Sequence, residues 1–452
     1  MKGGDETPPT SGEAGYAKAT EVFNTALPLH PAAAVTVRSV EEARAAVRRA
    51  AAKGLAVRTH TTGHSAGSGP DMASAMLVRT RIEGRIEVDA ASRSVRLPAG
   101  SVWGDIVDAC AAHGLAVPHG SSPTVGAVGY LLRGGLSSHG RLTGVAANSL
   151  RAVELVTSDG RARRVDAASD PDLLWALRGG GGGLGVVTSV EVDLFPVSEV
   201  FTGAAFWRVE DAHRLAPLWT AWARGAPRNV TTSLRVMRLP DSPDVPQELR
   251  ARPVFCVDGA AISTGTAGPE ATATAGDLLG PLRAAARPVL DTWRKTDLTA
   301  VPSSHMDPVT PLPLITDHML LRGDGGQETA DFLEAALDGS CEHLANVELR
   351  QLGGALADPD VPGGALDRFD AAYAYVAGGV PVAGRDAVDT GLAHVRRALS
   401  PWDTGRAAPT FSSAGANGTP ALAAEHARAL ASVRERTDPL GLFRDDTHAA
   451  CT

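Results

Sequence analysis

The chain has 452 residues, of which 44% are hydrophobic and 21% are charged, the usage of an ordinary globular protein. This composition excludes global disorder, and the length predicts two compact lobes rather than one small module. The net charge is −8, from 43 basic and 51 acidic residues, and no basic run occurs. A nucleic-acid partner is therefore not expected.

The four cysteines and the hydrophobic pattern restrict the cellular context. Cys110, Cys256, Cys341 and Cys451 lie far apart, so neither a disulfide framework nor a metal site is predicted. No apolar run reaches the ~18 residues that a membrane span needs, and the N-terminus lacks a signal peptide's apolar core. We expect no membrane partner and a cytoplasmic location.

The first predicted elements form a β-α-β unit behind a flexible leader and first helix at residues 1–27. A strand at 35–37 precedes a helix that Ser39 caps and Gly54 ends, and a second strand follows at 55–58. Further strands are predicted at 85–89 and 94–97, and then a helix capped by Ser101. Strands at 152–157, 163–165 and 186–195 flank a short helix at 172–177.

From about residue 199 to residue 400, strands and helices alternate in a pattern typical of an α+β lobe. Predicted strands lie at 201–209, 232–239, 253–257, 346–351 and 371–376. Predicted helices lie at 210–224, 267–286, 328–340 and 384–399. A last helix is expected to begin at Thr419 and Pro420.

Glycine is concentrated in three clusters of the first lobe. The 49 glycines include 3 at residues 63–69, 7 at 120–144 and 6 at 178–185. Glycine tolerates positive φ angles and lets main-chain N–H groups approach an anion or a flat ring closely. Three such turns in one lobe favour a large phosphate-bearing ligand, although each alone is compatible with an ordinary tight turn.

Two catalytic motifs match within these clusters but lack the expected context. The GxGxxG pattern at 180–185 follows a helix and precedes a strand, the reverse of a dinucleotide-binding turn. The GxSxG pattern around Ser65 follows a strand, but Gly69-Pro70-Asp71 stands where a nucleophile elbow needs a helix. A Ser65 hydrolase therefore stays a weak alternative.

Several motifs together resemble the berberine-bridge-enzyme-like branch of the vanillyl-alcohol-oxidase/para-cresol-methylhydroxylase (PCMH) flavoprotein superfamily. They are Arg58-Thr59-His60-Thr61-Thr62-Gly63-His64, Ser122-Pro123-Thr124-Val125-Gly126 through Gly134-Gly135 to Gly140-Arg141, the stretch from Trp175 to Thr188, and Asp438-Pro439 through Leu442-Phe443-Arg444. The resemblance implies an α+β fold with a PCMH-type FAD-binding domain at 28–198. It implies a separate substrate domain at 199–399, with an antiparallel sheet covered by helices, and a segment at 400–452 that returns to the FAD domain.

The resemblance also implies the cofactor site. His64 stands where the family's histidine bonds covalently to FAD, and Val125 stands at a gate near the flavin's oxygen-reactive carbon. The expected cofactor-binding residues are Arg58, Thr59, His60, Thr61, Thr62, Gly63, His64, Ser65, Ser122, Thr124, Val125, Gly126, Gly129, Gly134, Gly135, Gly140, Gly185 and Val187.

Two departures from the family pattern limit the chemistry. Ser122 replaces the cysteine of doubly linked members, so at most one covalent bond is expected, through His64. Phe411-Ser412-Ser413 replaces the segment that often supplies a catalytic tyrosine. Remaining candidates for the catalytic site are Tyr373 and Tyr375, which share one face of a predicted strand, and Glu348 and Arg350, which share a face of another.

The resulting prediction is an FAD-dependent oxidase that takes a hydride from an alcohol, amine or C–H group of a small molecule and passes electrons to molecular oxygen. Because the family's tyrosine is missing, a non-redox isomerisation or cyclisation on the same fold is the alternative. A carrier with an inert flavin is a third interpretation. The substrate and the oligomeric state are left open.

Overall fold

The computed structural model describes residues 9–65, 72–265, 270–323, 325–412 and 419–444. The first lobe contains a parallel three-stranded sheet of order β1-β3-β2, an antiparallel five-stranded sheet of order β4-β5-β9-β7-β8 and a ribbon of β6 with β10. Its strands are β1 Ala33–Val37, β2 Ala56–His60, β3 Ala75–Thr80, β4 Glu87–Asp89, β5 Ser94–Pro98, β6 Leu115–Ala116, β7 Leu150–Val156, β8 Ala162–Asp166, β9 Val186–Asp193 and β10 Phe195–Pro196. Its helices are α1 Ala14–Ala19, α2 Val40–Ala52, α3 Trp103–Ala111, α4 Ala127–Leu132, α5 Gly140–Thr143 and α6 Pro171–Leu177.

The predicted β-α-β start of this lobe is confirmed. Ser39 Oγ accepts a hydrogen bond from the Glu42 main-chain N–H at 3.2 Å, as the capping pattern predicts. Helix α2 buries Ala43, Val47 and their neighbours against the parallel sheet. Because parallel strands need a crossover, α2 carries the chain back so that β2 ends at the first glycine cluster.

Two predicted helix starts are wrong. The Ser101 hydroxyl donates to the Pro98 carbonyl at 2.8 Å instead of capping α3, which begins at Trp103. The last helix begins at Ala424 rather than at Thr419. In both places a short polar side chain precedes an apolar pattern, which is typical of a cap, but the helix begins farther along the chain.

The second lobe is built on one eight-stranded antiparallel sheet of order β14-β11-β13-β12-β17-β18-β16, in which β15 also pairs with β11. Its strands are β11 Glu199–Arg208, β12 Val230–Arg238, β13 Pro253–Ser263, β14 Leu290–Asp291, β15 Arg294–Thr296, β16 Ile315–Leu321, β17 Asn346–Gln351 and β18 Tyr373–Gly379. The helices α7 Ala212–Gly225, α8 Ala271–Ala285, α9 Gln327–Leu337 and α10 Arg385–Leu399 cover one face. The predicted α+β lobe with a helix-covered antiparallel sheet is confirmed.

The tail returns to the first lobe. Helix α11, Ala424–Thr437, packs against α6, and the Val57 N–H donates to the Leu442 carbonyl at 2.7 Å. Arg434 Nη2 donates to the carbonyls of Gly180 and Gly182 at 2.8 and 2.9 Å. The third glycine cluster is therefore held by the tail helix. None of the helices in the described part of the chain is long and apolar enough to cross a membrane.

Candidate functional site

A cavity of about 670 Å³ lies between the two lobes, on the face of the large sheet that the helices leave uncovered. The first lobe contributes the turn after β2 and the second glycine cluster, and the second lobe contributes β12, β17, β18 and the 305–314 loop. Most of the predicted site residues line it: Arg58, Thr59, His60, Thr61, Thr62, Gly63, His64, Ser65, Ser122, Val125, Gly126, Gly129, Glu348 and Arg350.

Glycine allows the two first-lobe turns to touch each other. Gly63 has a φ of +74°, and an added Cβ there would lie 2.7 Å from the Val22 side chain. An added Cβ at Gly126 would lie 3.0 Å from Thr61 Cγ2, and the Gly126 N–H donates to Thr62 Oγ1 at 3.3 Å. Bare main chain at both positions is thus required for the wall of the cavity.

His64 is held in one orientation on this wall. Its Nε2 lies 3.0 Å from Thr124 Oγ1, which in turn lies 3.1 Å from Ser122 Oγ. Its ring stacks on Phe23 with a centroid distance of 3.8 Å and an interplanar angle of 15°. Desolvation lowers the pKa of His64 to about 4, against the opposing effects of Thr124 and Asp307. The imidazole is therefore neutral, the form in which a ring nitrogen is nucleophilic.

The polar groups of the cavity fit FAD. His60 Nδ1 and the Tyr130 hydroxyl belong to cavity-lining residues, are buried, and have no hydrogen-bond partner among the described residues. Buried polar atoms are normally satisfied, so these two suit a ligand that carries hydroxyls and ring heteroatoms. An added Cβ at Gly129 would meet no atom within 4 Å, which leaves room for a flat ring against the main chain.

The remaining predicted cofactor residues have other neighbours and do not line this cavity. An added Cβ at Gly135 would lie 2.3 Å from the Tyr130 ring, and one at Gly185 would lie 2.8 Å from the Val156 carbonyl. Their bare main chain therefore serves packing within the first lobe. Contact with the cofactor stays a prediction for these residues: Thr124, Gly134, Gly135, Gly140, Gly185 and Val187.

The wall formed by the second lobe carries a buried ionic network. Glu348 Oε1 accepts hydrogen bonds from Ser233 Oγ at 2.7 Å and from Arg350 Nε at 2.8 Å. Glu348 Oε2 lies 3.2 Å from His305 Nε2. The Arg350 guanidinium carbon lies 5.4 Å from the centroid of the Phe411 ring, which also lines the cavity. The paired Glu348 and Arg350 thus lie inside the protein rather than on its surface.

A second set of contacts extends this network to β12 and β13. Arg235 Nη1 donates to Asp258 Oδ2 at 2.8 Å and to the His305 carbonyl at 2.7 Å. His305 Nδ1 lies 2.9 Å from Asp258 Oδ2. Asp307 joins the lobes by accepting a hydrogen bond from Ser121 Oγ at 2.6 Å. Within the described ranges no cluster of His, Cys, Asp or Glu has a metal-binding arrangement.

The network sets the protonation of its members. The pKa of Glu348 lies well below its usual range, because Arg350, His305 and Arg235 outweigh desolvation. The pKa of Asp258 is also lowered, because the effects of His305 and Arg235 outweigh desolvation. Desolvation and Arg235 lower the pKa of His305, but Glu348, Asp258 and Asp307 raise it further, to about 9.

Sequence reasoning missed Arg235, Asp258 and His305. Arg235 shares a face of β12 with Ser233, the same alternation that singled out Glu348, and was detectable in that way. Asp258 lies one residue beyond the predicted strand at 253–257, which in the structure continues to Ser263. His305 lies in a loop with no periodic pattern, so only the tertiary structure locates it.

The two tyrosines predicted as candidate bases lie on the wrong side of the sheet. Tyr375 is fully buried in the core beneath the helices, and Tyr373 packs against Trp219 of α7 at a centroid distance of 5.7 Å. Burial raises the pKa of Tyr373 to about 12 and that of Tyr375 well above its usual range. Neither lines the cavity, and this placement removes both from the candidate site. Ser413 of the tail motif lies outside the described residues.

Comparison with known proteins agrees with this geometry. Residues 31–166 match the family described as FAD binding domain. The (R)-6-hydroxynicotine oxidase of Paenarthrobacter nicotinovorans is 32% identical over 162 residues, which cover 36% of this chain and 35% of that protein. The chain thus aligns with about one third of the length of this curated relative.

Solved structures extend the likeness to the whole fold. The 6-hydroxy-D-nicotine oxidase of Arthrobacter nicotinovorans superposes with a TM-score of 0.81 at 20% identity, over 98% of this chain and 97% of that one. The Physcomitrella patens protein BBE-like 1 superposes with a TM-score of 0.79 at 18% identity, over 98% and 96%. Residues 31–166 therefore match an FAD binding domain, and the whole chain has the fold of the Physcomitrella patens protein BBE-like 1.

Proposed function

We propose that this protein is an FAD-dependent oxidase of a small molecule and that it holds FAD through one covalent bond to His64. The observation that carries the proposal is a single cavity in which a neutral, oriented imidazole faces a buried ionic network across the lobe boundary. Bound FAD would accept a hydride from the substrate carbon.

The attachment is supported by the way the chain presents His64. The hydrogen bond to Thr124 and the stacking on Phe23 orient the ring, and burial keeps the imidazole neutral without removing it from the cavity. In the described part of the chain, Ser122 is connected to His64 through Thr124, and the Ser122 hydroxyl cannot form a thioether. One covalent bond is therefore proposed, with no cysteinyl link.

Molecular oxygen is proposed as the electron acceptor because Val125 lies on the cavity wall, where a side chain of modest size leaves room for oxygen. The substrate is proposed to bind over the flavin, against the second-lobe wall. Met237, Val376 and Phe411 supply apolar surface there, and the Glu348–Arg350 network supplies polarity, which suits a largely apolar compound with one alcohol or amine group.

The attachment is tested by the absorbance spectrum of the purified protein before and after acid precipitation. We expect flavin absorbance to stay with the pellet of the wild-type protein and to pass into the supernatant for His64→Ala. The control is His113→Ala, an exposed histidine in the same lobe. Wild-type colour in the supernatant would contradict the covalent bond.

The reaction is tested with a panel of (R)-6-hydroxynicotine, vanillyl alcohol and D-glucose, which represent amine, aromatic alcohol and sugar substrates. Anaerobic bleaching of the flavin, followed by oxygen consumption in air, is the expected result for at least one class. Turnover without either signal would replace the oxidase by a non-redox activity on the same fold.

A further inference from the structure

His305 is the only residue of the second-lobe wall, among those described, whose two ring nitrogens both lie within hydrogen-bonding distance of network partners. It follows the short 3₁₀ helix Leu298–Ser303 and lines the cavity, although it is only 7% exposed. Both its main chain and its ring are held, because Arg235 donates to its carbonyl oxygen and Asp258 accepts from Nδ1. The ring is therefore held in one orientation in the wall of the cavity.

The contacts of the two nitrogens differ in kind. Nδ1 faces a carboxylate with a lowered pKa, so this nitrogen carries hydrogen in every state of the ring. Nε2 lies 2.9 Å from Arg350 Nη2, a contact that suits an unprotonated nitrogen accepting a hydrogen bond. It also lies 3.2 Å from Glu348 Oε2, a contact that suits a protonated nitrogen donating one. Nε2 therefore has a hydrogen-bond partner in both states: Arg350 when the nitrogen is unprotonated and Glu348 when it is protonated.

The charges around the ring support the same conclusion. Asp258 of β13, Glu348 of β17 and Asp307 of the loop face it with three negative charges, and Arg235 of β12 and Arg350 of β17 face it with two positive charges. A protonated His305 neutralises this cluster, and a neutral His305 leaves one uncompensated negative charge. The cluster thus accommodates a proton on the ring at low electrostatic cost.

Glu348 itself is poorly suited to take up a proton. Oε1 already accepts from Ser233 and Arg350, Oε2 faces His305, and the side chain is 1% exposed. Its lowered pKa makes the carboxylate a weak base. Its role in the network is that of a partner that stabilises the proton on His305.

We propose that Nε2 of His305 receives the hydroxyl or amine proton of the substrate, with Asp258 and Arg235 as positioning residues. This rests on the proposed oxidase function. In the oxidation of an alcohol, bound FAD would supply the acceptor for the C–H hydrogen and its two bonding electrons. The O–H bond breaks, its proton forms the Nε2–H bond, and the C=O double bond forms.

The first test is a ¹⁵N NMR titration of histidine-labelled holoenzyme between pH 6 and pH 10.5, with His305 assigned by the loss of its signals in His305→Asn. We expect Nε2 to titrate while Nδ1 stays protonated, with a midpoint near 9 in the wild type. Asp258→Asn removes a facing negative charge and should lower this midpoint by about one pH unit. A ring whose protonation does not change over this range, or a midpoint unmoved in Asp258→Asn, would overturn the proposal.

The second test follows flavin reduction by whichever panel compound bleaches the wild-type protein. A base acts in its deprotonated form, so the wild-type kcat/KM should rise as the pH rises toward 9. His305→Asn should lower kcat ~10²-fold or more and abolish this rise of kcat/KM with pH. Asp258→Asn should shift the rise to lower pH. The control is His426→Asn, because His426 does not line the cavity and its Nδ1 lies 3.0 Å from the Ala365 carbonyl oxygen.

The outcomes separate the two proposals. Reduction of FAD by a panel compound with an unchanged pH profile in His305→Asn would overturn the role of His305 and leave the oxidase standing. Failure of every compound to reduce FAD would overturn the proposed function, and the NMR titration would then decide alone whether Nε2 exchanges a proton. Thermal unfolding of each variant, compared with His426→Asn, identifies a folding defect.

Discussion

Alternation along two strands singled out two pairs of residues as candidates for the site. The structure places one pair on the cavity face of the large sheet and the other pair on the face under the helices. Glu348 and Arg350 share one face of β17, and Tyr373 and Tyr375 share one face of β18. The antiparallel register aligns Glu348 with Val376 and Leu349 with Tyr375. Directly paired residues lie on the same face, so the charged pair lines the cavity and the tyrosines lie under the helices.

This difference shows what alternation along a strand can establish. A two-residue repeat assigns side chains to a common face, but the face that meets a ligand depends on what covers the sheet. Four helices cover the tyrosine side, and the first lobe lies across the cavity from the other side. The following predictions test this contrast between a face packed under helices and a face that lines the cavity.

The largest effect is expected for Glu348→Leu. Removing this carboxylate leaves Arg350 and His305 buried without their shared anion, which should lower the free energy of unfolding by ~3–5 kcal/mol. Urea unfolding followed by circular dichroism measures the loss. The matched control is Glu342→Leu, whose side chain is exposed. Equal stabilities of the two variants would mean that the network does not hold this face together.

An intermediate effect on the free energy of unfolding is expected from a change of pH. The pKa of His305 is raised to about 9 in the folded protein, so its stabilising contribution is fully present below about pH 6.5 and is lost as the pH rises through 9. Between pH 7 and pH 10 the wild type should lose ~1–3 kcal/mol more than His305→Asn. Thermal unfolding of both proteins across this range measures the difference, and parallel curves would contradict the network's charge balance.

The smallest effect is expected for Tyr375→Phe. The Tyr375 hydroxyl is buried and has no hydrogen-bond partner among the described residues, so its removal should change stability by less than ~1 kcal/mol. Flavin reduction should keep the wild-type rate with any compound that reduces it. A large loss of activity would place this tyrosine in the reaction and contradict the assignment of the two faces.

The parts of the fold that the sequence predicted are those governed by local rules. Strand β17 was predicted with its observed bounds, because its polar and apolar residues alternate from Asn346 to Arg350. The glycine turns after β2 and before α4 were predicted from the clustering of glycine, and the structure shows close main-chain approaches there at Gly63 and Gly126. Strand β16 and the 305–314 loop were missed, since neither carries a clear period or turn signal.

The sequence by itself determined the two-lobe α+β architecture and the glycine turns, which depend on φ angles and on alternation among residues a few positions apart. The residues expected at a flavin site followed from the resemblance of their motifs to a known family. Only the tertiary structure decided which face of the sheet lines the cavity and that Arg235, Asp258, His305 and Glu348 meet there. Strand register and lobe packing bring these residues together from three strands and a loop, and the low dielectric of their shared burial sets their charges.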